Sequence, residues 1–378
     1  MKKFVWLAAL MTMLGVVPVF ADAGSPADLQ SMRTMLDGMQ KQMTELQQTI
    51  EKQNLRIQQL ESKAVLETPL KLPKENERLP VTAGMGNVKL GLLIQEWYTV
   101  DEHAPDNFRN RRLEIGFSGK LTDHLKWTAM MDPSLVREDN STRSLLKDAV
   151  VSYDGILNHE VKLGQYKIPL TEEGFRLSSQ LDTIERSYIS RTFSDKRDIG
   201  LMIIGKPCRF AEYQAGVFNG TEANNFDTNN QKDLIGRFVL KPFPDNAGLR
   251  GLEIGSSGYY RPATGAVKKR IGLEARYSYG PWSLKSEYLH AQDGRVPADG
   301  WYVQGGYFFL PRWQALLKYE GFNLDQRGSE GREYDTTVGL NYFIVFPTTK
   351  FQLNYVHKEA QFAAANDNQV IGAVQYAF

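Results

Sequence analysis

The feature that most constrains this chain is an alternation of apolar and polar residues that recurs over residues 86–378. Within NRRLEIGFSGKL, for example, Arg112 and Glu114 share one parity, and the apolar residues beside them share the other. A β-strand places such sets on opposite faces of a sheet. Glycine and aromatic residues, which suit turns and strands, are frequent in the chain. The pattern therefore predicts about sixteen strands.

The polar parity carries charged residues in the middle of the predicted strands. The basic members that we expect to face a water-filled interior are Arg112, Lys126, Lys162, Arg237, Arg276, Lys285 and Lys318. The core of a soluble β-sandwich could not bury so many unpaired charges, whereas the lumen of a barrel hydrates them. A sheet in lipid must also close, because lipid offers no hydrogen-bond partner to an open edge. The predicted fold class is an all-β transmembrane barrel of about 16 antiparallel strands, which leaves an aqueous channel.

Aromatic residues near the predicted strand ends support the same fold, because membrane barrels carry aromatic girdles at both interfaces. These residues are Trp97, Tyr98, Tyr259, Tyr260, Tyr277, Tyr279, Trp282, Trp301, Trp313, Tyr342 and Phe343. The predicted connections alternate between tight turns and longer polar segments, and residues 291–299 are counted among the longer ones. Such an alternation is typical of a meander with a periplasmic rim and an external rim.

The last predicted strand, Asn368 to Phe378, ends on a bare aromatic residue without a polar tail. In a closed barrel this strand pairs with the first one, NVKLGLLIQEWYTV, so it has to be complete to its last residue. Its alternate apolar residues and terminal aromatic resemble the C-terminal signal of outer-membrane barrels.

The first residues have the order of a secretory signal peptide, which we predict over residues 1–21. Two lysines precede an apolar run over residues 4–17, and small residues at Ala21 or Ala23 offer a cleavage site. The run is shorter than the roughly 20 apolar residues that a membrane helix needs. Removal of the two lysines takes the formal net charge from +1 to −1.

Residues 27–64 carry a heptad pattern that predicts a coiled coil in the periplasm. Its a positions are Leu29, Leu36, Met43, Ile50, Ile57 and Ala64, and its d positions are Met32, Met39, Leu46, Gln53 and Leu60. An amphipathic helix that folds onto the body of the protein is the alternative. Residues 65–85 then form a linker that three prolines keep extended.

Several other classes of function find no support in the sequence. The near-zero charge and the lack of a basic tract argue against nucleic-acid binding. One cysteine allows no intrachain disulfide. The histidines are His103, His124, His159, His290 and His357, and none has a second His or Cys at metal-ligand spacing. We therefore expect no metal, no cofactor and no enzymatic activity.

The longest predicted connection, over residues 169–196, is rich in both charged and apolar residues. A solvated loop has little use for so many apolar side chains, whereas a loop that folds into the lumen can pack them on the wall. Its charges would then narrow the channel and set its ion preference. The basic residues predicted for this constriction are Arg176, Arg186, Arg191, Lys196 and Arg197.

Four stretches in this order, RRLEIGFSGKL, LKDAVVSYDG, VKLGQYKIPL and IERSYISRTFSDKRDIGLMI, resemble the phosphate-selective porin O and P family. The resemblance covers residues 86–378. It implies a sixteen-stranded, usually homotrimeric porin in the outer membrane of Gram-negative bacteria, with the third long loop folded inside. It would also place Arg186, Arg191 and Arg197 in a basic eyelet. Residues 169–195 nevertheless contain no lysine, unlike the lysine cluster expected of a phosphate trap.

The expected function is passive diffusion of small anions, phosphate among them, or of other small polar solutes. The alternative is a structural sheath or anchor, in which the coiled coil holds a periplasmic partner or the cell wall. A third reading is that the heptads only trimerise the barrel. A sheath needs a lumen free of an inward loop, whereas a porin needs that loop in place.

Overall fold

The structure, a computed structural model, describes residues 80–82, 87–135, 145–227, 229–262, 267–326, 332–360 and 367–378, and seven single residues between Asp37 and Lys52. Those seven are helical and exposed, and none occupies a predicted a or d position. The predicted signal peptide, the seam of the coiled coil and most of the linker lie outside the described residues. The coiled coil therefore stays a prediction.

The described chain from Pro80 onwards is built of strands that alternate in direction. The strands are β1 (Pro80–Thr82), β2 (Asn87–Asp101), β3 (Asn107–Lys120), β4 (Leu125–Met131), β5 (Leu146–Ile156), β6 (His159–Lys167), β7 (Arg197–Cys208), β8 (Ala211–Phe218), β9 (Asp233–Leu240), β10 (Glu253–Arg261), β11 (Lys268–Tyr279), β12 (Trp282–Asp293), β13 (Val296–Leu310), β14 (Trp313–Asn323), β15 (Glu333–Val345), β16 (Thr349–Ala360) and β17 (Asp367–Ala377). Three short helical turns lie between β6 and β7: Glu172–Phe175, Ser178–Gln180 and Ser190–Ser194.

Strands β2 to β17 form a closed antiparallel barrel of sixteen strands, as the sequence predicts. The closing pair is β17 and β2, whose register runs from Gln369 opposite Asp101 to Ala377 opposite Leu93. Phe378 continues this ladder, because its backbone exchanges two hydrogen bonds of 3.1 Å with Leu92. The last residue is thus part of the seam. Strand β1 pairs with the first residues of β2, from Asn87 to Lys89.

The two faces of the sheet differ in chemistry. On β11, Ile271 and Leu273 are 60% and 53% exposed, while the alternating Arg270 and Glu274 are buried. The side chains that are shielded are therefore the polar ones, which face the interior of the cylinder. This inversion of a soluble core is the arrangement that a membrane barrel requires. Among the described residues, no helix combines the length and the apolar character needed to cross a membrane.

Two expectations from the sequence are wrong in detail. The connection expected over residues 291–299 is a tight hairpin, because β12 continues to Asp293 and β13 begins at Val296. Gly294 adopts a φ of 65°, which a two-residue hairpin turn needs and which glycine reaches without strain. The nearby proline and glycine therefore do not break the strand.

The aromatic girdle is also smaller than the sequence suggests, because Trp97, Tyr259 and Phe343 lie on the inner, polar face. All three are buried. Cations lie over all three: the guanidinium of Arg111 is 5.3 Å from the Trp97 ring, that of Arg270 is 4.9 Å from the Tyr259 ring, and Lys350 Nζ is 5.5 Å from the Phe343 ring. The hydroxyl of Tyr259 donates to a carboxylate of the wall. These rings thus support charged side chains instead of meeting lipid.

Candidate pore constriction

The connection between β6 and β7, residues 168–196, is fastened to the polar face of strands that lie far apart in the barrel. Side chains of β15, β16 and β17 donate to its backbone: Asn341 and Gln352 to Asp182 O at 2.8 and 2.9 Å, and Gln375 to Ser179 O at 2.8 Å. These buried amides are polar residues of the inner parity, so the alternation of the strands aims them at this segment.

Wall carboxylates accept from the same connection on another side. Glu287 on β12 accepts from the backbone N–H of Glu173 at 2.5 Å, and Glu320 on β14 accepts from that of Tyr188 at 2.7 Å. Both carboxylates are buried. The connection is therefore held by both its donors and its acceptors.

Apolar side chains of the connection pack on the wall as well. One cluster joins buried residues of the connection to β6, β7 and β8 and to neighbouring strands, and its members from the connection are Ile168, Leu170, Ile189 and Phe193. Ile184 packs with Trp97, Ile371 and Ala373 near the seam of the barrel. These contacts explain why a segment with so many charges also carries apolar residues.

Three of the five basic residues predicted for the constriction are neutralised by carboxylates. Arg176 pairs with Glu172, one helical turn earlier. The Arg197 Nε lies 2.7 Å from a carboxylate oxygen of Asp148 on β5. These cations fix the connection in place, and little of their charge is left for a passing ion.

Arg186 is the most constrained of these three, with 1% of its surface exposed. Its Nη1 lies 3.0 Å from an Asp195 oxygen, and it donates to the backbone oxygens of Glu173 and Arg176 at 3.0 and 2.6 Å. Burial raises the pKa of Asp195, but Lys167 and Arg186 outweigh burial and hold that pKa well below its usual range. Arg186 therefore stabilises the connection by joining its distant parts.

The other two predicted residues differ from these three. Lys196 is half-buried, and its backbone bonds to Ser194 and Ile168 turn the chain towards β7. Arg191 is exposed, and its guanidinium lies 5.2 Å from the centre of the Tyr188 ring. That ring in turn stacks on Phe322 of β14, with centres 3.9 Å apart. Arg191 is thus held by an aromatic platform that leaves its donors open.

Glu185 is the carboxylate around which the cations of this region gather. Arg111 Nε and Nη2 donate to its Oε2 at 3.2 and 3.0 Å, and Arg112 Nη2 donates to its Oε1 at 3.3 Å. Burial raises the pKa of Glu185, but Arg112, Arg111 and, more weakly, Arg191 outweigh burial and lower that pKa to about 2. Three guanidinium groups therefore act on this one carboxylate.

A β-bulge brings Arg111 to this cluster. The register of β2 and β3 shifts between Gln95 and Glu96, so that Gln95 faces Arg112 while Glu96 faces Asn110. The extra residue is Arg111, which strict alternation would turn towards lipid. A bulge re-aims a side chain in this way. Sequence reasoning missed Arg111 because it assumed an unbroken period of two.

The seven basic residues predicted for the interior all lie beside carboxylates. Arg112 meets Glu185, Lys126 pairs with Asp154, Lys162 lies 3.8 Å from Glu160, Arg237 pairs with Glu274, Arg276 pairs with Glu253 and Glu172, Lys285 pairs with Asp182 and Lys318 pairs with Glu320. Lys285 and Arg276 thereby tie the connection to β12 and β11. The wall cations are therefore compensated locally by carboxylates.

One group of possible metal ligands lies at the rim of the barrel. Ligand atoms of Glu102, His103 and Asp367 lie within 4.8 Å of one another. Spacing along the sequence could not reveal this group, because His103 and Asp367 are 264 positions apart. Lys358 and Asn368 already engage its carboxylates at 2.7 and 2.6 Å.

The fold is similar to those of solved outer-membrane proteins. An anion-selective porin from Comamonas acidovorans is 13% identical with a TM-score of 0.56, covering 78% of this chain and 100% of that one. OmpF of Salmonella typhi is 10% identical with a TM-score of 0.57, covering 79% and 100%. OmpT of Vibrio cholerae in its trimer form is 12% identical with a TM-score of 0.55, covering 78% and 100%.

Identities this low establish the fold and leave the substrate open. None of the curated proteins compared with the chain matches it. A sequence profile of phosphate-selective porin O and P matches residues 94–267 and 262–378, which is nearly the whole barrel. Together with the closed sixteen-stranded sheet, this match means that the chain belongs to the phosphate-selective porin O and P family.

Proposed function

We propose that the chain is an outer-membrane porin through which small anions diffuse passively. The connection between β6 and β7 folds into the lumen in this proposal and forms the constriction. Its hydrogen bonds to the polar side chains of β12, β14, β15, β16 and β17 support that placement. A lumen crossed by such a segment suits a filter better than a sheath that encloses a partner.

The observation that carries the proposal is the set of three arginines around Glu185. At neutral pH the guanidinium groups of Arg111, Arg112 and Arg191 are all charged, and that of Arg191 is exposed on the Tyr188 ring. A confined site with several guanidinium groups attracts anions and repels cations. Arginine also offers paired donors that match the oxygen atoms of carboxylates and phosphates. The proposed solutes are therefore small anions with two or more oxygen atoms, inorganic phosphate among them.

The selectivity that we propose differs from that of a lysine trap. Arg176, Arg186 and Arg197 are already paired with Glu172, Asp195 and Asp148. The positive field is then restricted to one part of the constriction, and an ion passes it without losing its whole hydration shell. We expect a moderate preference for anions, with phosphate and chloride both permeant.

The location and assembly follow from the same proposal. The apolar outer face and the aromatic residues near the strand ends support insertion in the outer membrane, with the predicted coiled coil in the periplasm. The trimer form of OmpT supports a homotrimer for this chain too. The heptads of residues 27–64 would then reinforce the trimer or bind a periplasmic partner.

Channel recordings in a planar lipid bilayer test the proposal. We expect the purified full-length chain to insert as open channels. In a gradient of potassium chloride, the reversal potential should have the sign that chloride flow produces. Replacing chloride by phosphate should leave a measurable current. A matched extract from cells without the chain controls for contaminating porins. A barrel that inserts without conducting would favour the sheath, and a potential set by potassium would contradict the anion preference.

A further inference from the structure

Glu102, His103 and Asp367 meet at the rim of the barrel that lies away from Phe378. Glu102 directly follows β2, and Asp367 is the first residue of β17, so the group spans the seam where the barrel closes. Among the residues that the structure describes, this is the one place where three possible metal ligands come within 4.8 Å of one another. The His103 side chain is 54% exposed, so a dissolved ion can reach the group.

Backbone hydrogen bonds fix these residues on the two sides of the seam. The N–H of Glu102 donates to Asn368 O on β17 at 3.1 Å, and the N–H of His103 donates to Asp101 Oδ1 on β2 at 3.0 Å. The histidine and the first carboxylate are therefore anchored to both end strands of the sheet. A site whose ligand residues are already in place loses little conformational freedom when an ion binds.

The two carboxylates each give one oxygen to a protein donor. Asn368 Nδ2 donates to Glu102 Oε2 at 2.6 Å, and Lys358 Nζ donates to Asp367 Oδ2 at 2.7 Å. The other oxygen of Asp367, Oδ1, lies 3.3 Å from His103 Nδ1. In metal sites, outer donors of this kind orient the carboxylates that bind the ion. Asn368 and Lys358 can therefore keep their contacts when an ion binds.

The distance and the donor atoms fit zinc. The 3.3 Å between His103 Nδ1 and Asp367 Oδ1 is long for a hydrogen bond. It is close to the roughly 3.4 Å between two ligands of a tetrahedral zinc ion whose bonds are about 2.1 Å long. Calcium and magnesium prefer oxygen ligands, whereas imidazole suits zinc. With Glu102 as the third ligand, the group has the three protein ligands of an open zinc site.

We propose that Glu102, His103 and Asp367 bind a zinc ion at the closing seam of the barrel. His103 Nδ1 and one oxygen of each carboxylate coordinate the ion, and a water molecule is the fourth ligand. Because Glu102 and His103 follow β2 while Asp367 begins β17, the ion joins the first and last strands of the closed sheet. An ion that binds the folded rim in preference to the unfolded chain stabilises the barrel.

Calorimetric titration with zinc chloride tests the proposal on the purified full-length chain in detergent, made without a polyhistidine tag. Excess magnesium chloride at neutral pH occupies carboxylates that bind divalent ions without selectivity. We expect His103→Ala to weaken zinc binding at least about tenfold, the smallest loss usual when even an outer partner of a metal ligand is removed. The matched control is His124→Ala. His124 Nδ1 also lies 3.2 Å from a carboxylate that holds a lysine, that of Asp154, and it belongs to no such group of three among the described residues.

Glu102→Gln gives a second measurement. Its amide oxygen can still accept from Asn368, so the rim keeps its structure, and loss of the charge should weaken zinc binding. Zinc should also raise the temperature at which the barrel unfolds in detergent gels for wild type and His124→Ala, and should leave that of His103→Ala unchanged.

Two outcomes overturn the inference: a wild-type chain that binds no zinc, or equal zinc affinities of His103→Ala and His124→Ala. Heat-dependent migration in detergent gels confirms that each variant has formed its barrel. The measurement does not depend on conduction. A chain that conducts anions without binding zinc refutes this site alone, and a chain that binds zinc without conducting refutes the proposed function alone.

Discussion

Two groups of arginines in the proposed constriction have the same charge and different surroundings. Arg186 is enclosed by the connection between β6 and β7, where Asp195 and two backbone oxygens take up its donors. Arg191 lies exposed on the Tyr188 ring, and it shares Glu185 with two arginines of the wall. A cation with a buried carboxylate partner supports structure, while a cation in excess creates a field. The number of basic residues in a loop therefore overstates the charge that an ion meets.

The largest effect is expected from removing Arg186, the buried arginine of this comparison. Arg186→Ala removes one of the two cations at Asp195 and takes a donor from the backbone oxygens of Glu173 and Arg176, of which only that of Arg176 keeps another donor, Lys167. Breaking a buried pair costs about 3–5 kcal/mol. We expect the connection to detach from the wall, so that the current becomes noisy and trypsin cleaves within residues 168–196. Limited proteolysis and single-channel recording measure both effects. Arg312→Ala, at an exposed turn, is the control. If Arg186→Ala gave a steady current and resisted trypsin, the distinction between structural arginines and arginines that act on the passing ion would be wrong.

An intermediate effect is expected from Glu185→Gln, which changes the second group of arginines, those around Glu185. The glutamine can still accept from Arg111 and Arg112, but the cluster loses one negative charge. At a separation of about 6 Å in water this corresponds to a roughly threefold rise in anion permeability and a roughly threefold fall in cation permeability. Reversal potentials measure the change. The control is Asp245→Asn in an exposed turn, where Asp245 pairs with Arg209 and is 66% exposed. An unchanged ratio would mean that this cluster does not face the ion path.

The smallest effect is expected from mild acid. The cluster holds the pKa of Glu185 near 2, below its ordinary value of 4.5, so the stabilisation that the carboxylate provides is complete above pH 4.5 and is lost as the pH falls towards 2. Burial raises the pKa of Asp182 in the same connection, and Lys285 outweighs it and lowers that pKa. We expect the difference in selectivity between wild type and Glu185→Gln to stay constant between pH 8 and pH 5, as measured in one series of buffers, because Glu185 stays ionised over this range. A transition of that difference near pH 6 would contradict the ion pairs of Glu185.

Much of the fold could be predicted because the outer and inner faces of a membrane barrel require apolar and polar residues to alternate along each strand. Arg112 and Glu114 alternate with apolar residues, and the final strand keeps its pattern to Phe378, so strand number and closure follow. Exceptions arise where a local backbone detail overrides the pattern. Gly294 permits a tight hairpin in place of a longer loop, and the bulge at Arg111 reverses the parity of Arg111 and of the β3 residues before it.

The composition of the candidate site was predictable, and its electrostatics were only partly so. Arg176 has its partner four residues away at Glu172, a spacing that the sequence displays. Arg197 has its partner at Asp148, 49 positions away, and only the folded barrel brings them together. Glu185 likewise meets Arg111 across 74 positions. Which cations remain uncompensated is therefore a property of the tertiary structure.

The central claim is that the guanidinium groups around Glu185 set the ion preference of the channel. The most direct measurement is the reversal potential of Arg111→Gln/Arg191→Gln in a potassium chloride gradient, compared with wild type and with Arg209→Gln at an exposed turn. Loss of two charges at about 6 Å predicts a roughly tenfold fall in anion permeability and a roughly tenfold rise in cation permeability, and the control should match wild type. A double variant with the wild-type reversal potential would contradict the account.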